Sequence, residues 1–172
     1  MGTRLLSEHL IKQYHPQLRY VRAHTTGKHA ATIYAWNENL ELTEKEADEV
    51  GRFADQYLAP YVCFRVKAYS QLQEDRVPAL GELPERIVAT ALRRDLDQRE
   101  VLSVLNEMIG GGRATFIRYD YHSGTLHFNV HTAKALTDIE KELILRYASE
   151  IVPLGSRCEI AYWSGDARPL YC

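Results

Sequence analysis

The sequence predicts an α+β fold: a tandem duplication of an αββαβ unit, each copy a small sheet with helices on one face. Three observations lead there. Leu42-Thr43-Glu44-Lys45-Glu46 and Leu136-Thr137-Asp138-Ile139-Glu140 read as two openings of one kind of helix. Arg52-Phe53-Ala54 and Arg146-Tyr147-Ala148 follow them at the same offset. A hairpin-like stretch precedes each helix and a β-rich stretch follows it. The expected division is a first repeat over 1–71, a linker with an extra helix over 72–96, and a second repeat over 97–172. A pseudo-twofold is expected to relate the two repeats.

Each element has a local reason. Leu5, Leu6, Leu10, Ile11 and Tyr14 recur at helical spacing, and His15-Pro16 ends that helix. Residues 18–25 and 30–36 are rich in Tyr, Val, Ile, Thr and Trp, with Thr26-Gly27 as the turn between them. The helix over 43–58 opens on a capping box, Thr43 to Glu46, and carries the apolar stripe Val50, Phe53, Ala54 and Tyr57. After Ala59-Pro60, residues 61–69 alternate as a strand, with Cys63 and Arg65 on one side and Phe64, Val66 and Ala68 on the other. Pro78, Gly81 and Pro84 mark the linker, and Pro84 suits the first turn of a helix to about Arg94. Asp97 and Glu100 form another capping box, opening a helix that Gly110-Gly111-Gly112 terminates.

The second hairpin is expected to turn on Ser123-Gly124, which pairs His122 with Thr125. Tyr121, Tyr119 and Ile117 then sit opposite Leu126, Phe128 and Val130 on the core face. The outward face holds Asp120 opposite His127, Arg118 opposite Asn129 and Phe116 opposite His131. The last helix, 137–152, is expected to bury Ile139, Leu143, Tyr147 and Ile151 before Pro153 and Gly155. A closing strand over 157–163 and a tail complete the chain.

Composition narrows function by exclusion. Hydrophobic residues make up 45% and charged residues 26%, the balance of a globular protein able to bury a core. The net charge of −2 gives no overall basic excess to recruit nucleic acid or anionic lipid. Cys63, Cys158 and Cys172 show no CxxC spacing and read as free thiols of a reducing compartment. The first residues hold no long apolar run, and Arg4 and Leu5 make Gly2 a poor myristoylation site, so the expected location is cytoplasmic.

The chemical constellations are sparse. His127 and His131 share a strand face with Asp120, but no supporting Cys or second carboxylate completes a metal-ligand spacing, and no metal or cofactor is expected. Gly110-Gly111-Gly112-Arg113 follows a helix, whereas phosphate loops precede one. No Gly-x-Ser-x-Gly nucleophile signature is present. Arg93, Arg94 and Arg99 lie among Glu85, Asp95, Asp97 and Glu100, a mixed-charge solvated surface.

Two resemblances can be tested on residues. His29-Ala30-Ala31 and His127-Phe128-Asn129 sit at similar points of the repeats, as do the His-x-Thr/Ser motifs of the 2H phosphoesterases, but both lack the hydroxyl two residues on. The αββαβ order resembles KH-type RNA modules and the ring-building modules of secretion and sporulation assemblies. No Gly-x-x-Gly loop is present, and the ring-building modules usually sit beside a membrane span.

The resulting expectation is a non-enzymatic interaction or assembly module, acting as a homo-oligomer or with a protein partner, with no membrane or nucleic-acid partner. Its expected contact surface is Phe116, Arg118, Asp120, His127, Asn129 and His131, because aromatic and arginine side chains are enriched at contacts. The alternatives are an enzyme or small-ligand binder using His127, Asp120 and His131 between the repeats, and an RNA binder using a sheet face.

Overall fold

The computed structural model describes residues 2–165. Two three-stranded sheets carry the fold, each with its own helices. In the first, β1 (Leu18–Gly27) pairs antiparallel with β2 (Ala30–Asn37), and β2 pairs in parallel with β3 (Cys63–Ala68). In the second, β4 (Arg113–Asp120) pairs antiparallel with β5 (Thr125–Thr132), and β5 in parallel with β6 (Arg157–Ser164). The middle strand of each hairpin unit is central in both sheets, so strand order and direction repeat.

The helices form where the local signals lie. α1 (Arg4–Tyr14) is capped by the Thr3 hydroxyl, which accepts from the Leu6 amide at 3.2 Å and donates to the Ala91 carbonyl. α2 (Glu44–Tyr57) opens on the full Thr43–Glu46 capping box. α3 (Gln71–Glu74) and α4 (Glu85–Ala91) occupy the linker, and α5 (Gln98–Met108) opens on the Asp97–Glu100 box. α6 (Asp138–Glu150) opens on Thr137, whose hydroxyl accepts from the Glu140 amide at 3.3 Å. Here the Glu140 carboxylate bonds the Thr137 hydroxyl rather than its amide, so this cap is only half of a box.

The core divides in two. Ile11, Ile33, Val50 and Phe53 anchor the first part, and Ile87, Leu105, Phe128, Val130, Ile144 and Ile151 the second. The linker helix α4 therefore packs into the second core. A small third cluster joins the repeats: Leu154 of the second packs with Ala23, Ala31, Ala59 and Val62 of the first.

The seam between repeats is polar as well. The Arg4 guanidinium donates to Glu150 at 2.9 Å and to Glu8 at 2.9 and 3.0 Å, with all three side chains no more than 13% exposed. Glu8 also accepts from the Ala23 amide at 2.9 Å, satisfying an edge-strand donor. Burial opposes the Arg4 charge, but Glu8 and Glu150 together raise its pKa. At the hairpin tip the His29 amide donates to the Gly155 carbonyl at 3.0 Å, and the Gly155 amide to the Thr25 hydroxyl at 3.0 Å. Gly155 has φ +84°, and a Cβ there would stand 3.0 Å from Val62 and 3.3 Å from the His29 Cα.

Three sequence expectations need correction. The first hairpin turns on Lys28-His29, two residues past Thr26-Gly27, because a bulge between Thr25 and Gly27 carries β1 on to pair Gly27 with Ala30. The second hairpin closes with Asp120 opposite Thr125, and a further bulge shifts the register between Phe116 and Arg118. In α6 the buried apolar positions are Ile144 and Ala148, continued by Ile151, while Ile139 is 72% exposed.

Candidate functional site

The second hairpin carries the residues singled out from sequence, and its turn explains their placement. The Asp120 carboxylate accepts from the His122 amide at 2.9 Å, and the Gly124 amide donates to the Asp120 carbonyl at 2.9 Å. Gly124 has φ +67°, which closes the four-residue loop Tyr121–Gly124. Hydrogen bonds from Ser123 and His122 hold the Asp120 carboxyl below the usual carboxylate range. Asp120 is thereby a turn residue facing Thr125, not the partner of His127 expected from sequence.

The bulge then sorts the strand. Phe116 lies opposite Phe128, with ring centroids 5.6 Å apart in an edge-to-face contact, and packs against the second core. It does not belong to the outward surface. Ile117, the extra residue, is 50% exposed, and Arg118 faces His127 instead of Asn129. Tyr119, expected in the core, is 40% exposed, and its hydroxyl lies 3.2 Å from His29 Nε2. Tyr121, also expected in the core, is 67% exposed. The outward face of the second sheet thus gathers Arg118, His127, Asn129 and His131 with Trp163, which faces His131 from β6 and is 51% exposed. His127 Nδ1 lies 3.5 Å from the carboxylate of Glu159, its parallel-strand neighbour. Among the described residues, no three His, Cys, Asp or Glu side chains gather closely enough to hold a metal ion.

The matching face of the first sheet looks different. At the positions that correspond by register to His127 and Asn129, Thr32 is 3% and Tyr34 1% exposed. The chain's own linker covers them. Tyr34 donates its hydroxyl to Asp75 at 2.7 Å, Lys67 donates to the same carboxylate oxygen at 2.8 Å, and Arg22 donates to the Pro78 carbonyl at 3.0 Å. Burial and the Asp75 bond push the Tyr34 phenol up to about 12. Lys67 and Tyr34 hold the Asp75 carboxyl below its usual range.

Beside that clasp lies a cavity of about 720 Å³ that sequence reasoning missed. Arg65 and Lys67 enter it from β3 and Arg157 from the start of β6, among the hydroxyls of Thr25, Thr26 and Thr32. His24 also lines it, with its pKa lowered by burial and by Arg22, which disfavours its charged form. The alternation of β3 does place Cys63 and Arg65 on one side, but nothing local brings Arg157 to them.

Cys63 is exposed and Cys158 partly buried, and both are free; Cys172 lies outside the described residues. Burial pushes the Cys158 thiol up to about 12. Among the described residues, no helix is long and apolar enough to cross a membrane. Comparison with family models, with curated proteins and with solved structures finds no match for this chain.

Proposed function

We propose that the chain is a non-enzymatic interaction module that docks an extended segment of a partner protein on the outward face of its second sheet. One observation carries the reading: the same face of the first sheet is covered by a segment of the chain, while on the second sheet Ile117 and Trp163 are half exposed. The first repeat supplies the pattern of occupant. Its linker presents one carboxylate, Asp75, to two donors and one carbonyl to Arg22. The second face offers Arg118, His127, Asn129 and His131 as donors beside an indole ring that anchors contacts well. A segment with an acidic residue suits it.

Size argues against a second copy as the occupant. Three strands of eight residues span roughly 14 by 26 Å, about 370 Å². That is under half of the ~800 Å² each partner contributes to a standard interface. A strand-like segment fills such a face, whereas a second copy would need contacts beyond it to reach a stable dimer area.

The test places a photo-crosslinking side chain at position 117 or 163, with position 139, more exposed than either, as the control. The expected result is a crosslink from 117 and 163, and not from 139, that maps to an acidic segment of one identified protein. Binding of that purified protein is lost in Trp163→Ala and Arg118→Glu. Equal crosslinking from 139, or concentration-dependent sedimentation that Trp163→Ala abolishes, would overturn the proposal; the latter assigns the face to self-association.

A further inference from the structure

We propose that the cavity lined by Arg65, Lys67 and Arg157 binds a small organic phosphate carrying at least two negative charges. It lies against the linker-covered face of the first sheet, and its chemistry comes from both repeats, with Arg157 reaching it from the start of β6. Three cations line it against one carboxylate, Asp75, in a chain whose overall net charge is −2. Among the described residues neither Arg65 nor Arg157 has an ion-pair or side-chain hydrogen-bond partner, so both guanidinium groups are free to meet a ligand. Arginine forks match phosphate oxygens in pairs, so two of them and a lysine ask for more than one anionic group.

The remaining lining fits the same ligand. Thr25 accepts the Gly155 amide and keeps its own proton to donate, and Thr26 and Thr32 add hydroxyls. Asp75 holds Lys67 at 2.8 Å, fixing the ammonium in place. The volume falls in the usual range of small-molecule sites, about 300–1,000 Å³. Asp75 and Val77 of the linker line the cavity as a wall, which suits a compact ligand better than a continuous nucleic-acid strand.

Cys63 also lines the cavity and is exposed, so it reports occupancy. The experiment follows its alkylation by iodoacetamide, mapped by peptide mass spectrometry, with inorganic pyrophosphate or ATP added at constant ionic strength. Protection of Cys63 is expected, with Cys158, which does not line the cavity, as an internal reference whose alkylation the probes leave unchanged. Pyrophosphate alone sufficing assigns recognition to the phosphates; ATP alone protecting adds the nucleoside as part of the ligand. Arg65→Gln and Arg157→Gln should each weaken protection about tenfold or more, since charge-assisted hydrogen bonds are lost. Arg118→Gln should not. Both arginines are exposed, and circular dichroism of each variant checks the fold, with Arg65→Lys expected to retain partial protection. No protection by either probe, equal protection by sodium chloride, or equal loss in Arg118→Gln would overturn the proposal. Stronger protection by single-stranded RNA than by either probe would overturn it in favour of a nucleic-acid site.

Discussion

Replacing Phe116 by alanine should destabilise the second repeat without touching the outward face, and the size of the effect follows from its packing. A fully buried phenylalanine costs about 3–5 kcal/mol on truncation. Phe116 is only partly buried, which lowers the transfer part, but the edge-to-face contact with Phe128 adds about 0.5–1.5 kcal/mol. The expected loss is therefore about 2–3 kcal/mol. Ile117→Ala, at a half-exposed bulge position, should cost under about 1 kcal/mol. Urea unfolding followed by far-ultraviolet circular dichroism reads both, with the m-value checking that the unfolded reference is unchanged. The uninterrupted two-residue-turn register puts Ile117 inside and Phe116 outside, so it demands the opposite order. A larger loss for Ile117→Ala than for Phe116→Ala would refute the bulge and every outward-face assignment built on it.

Arg4→Ala leaves Glu8 and Glu150 buried without their shared cation and should cost about 3–5 kcal/mol in the same assay, with Arg4→Lys intermediate because an ammonium lacks the planar fork; a loss under about 1 kcal/mol would show that water reaches the pair. Thr43→Ala should cost about 1 kcal/mol, and Thr137→Ala less, since only the former breaks a reciprocal box. Equal denaturation midpoints for the two cap variants would contradict that ranking.

What was legible in the sequence was local. The capping boxes at Thr43 and Asp97 each need only residues three apart, and both form as read. That the two halves share one strand order was expected from the repeated helix openings, and they do. The hairpin register was harder, because two turns compete within a few residues. Ser123-Gly124 suits a two-residue turn, while Asp120 can cap a four-residue loop through the His122 amide. The four-residue loop with its bulge turns the Phe116 ring against Phe128 and the core, a burial that no short-range pattern registers. The stripe of α6 was ambiguous for a related reason. Ile139, Leu143, Ile144 and Leu145 offer apolar residues on most sides of the helix, so periodicity alone does not pick the buried one. Of the six residues read as outward, Arg118, His127, Asn129 and His131 share a sheet face, Phe116 packs into the core and Asp120 serves the turn; Trp163 reaches that face from a strand the pattern did not connect to it. The arginine-lined cavity was invisible because Asp75 and Arg157 reach it only through tertiary placement.

The clasp at Gly155 bears on how the protein unfolds. Its two hydrogen bonds tie the tip of one sheet to the other repeat, and the Cys63 amide extends them by donating to the His29 carbonyl at 2.8 Å. Loss of either half therefore strands backbone donors of the other, and uncovers Glu150 or its counter-ion as well. Two similar units joined in this way do not unfold independently. Heating should produce one sharp transition rather than two, and halves expressed apart should gain structure only on mixing, as complementing fragments of one cooperative unit.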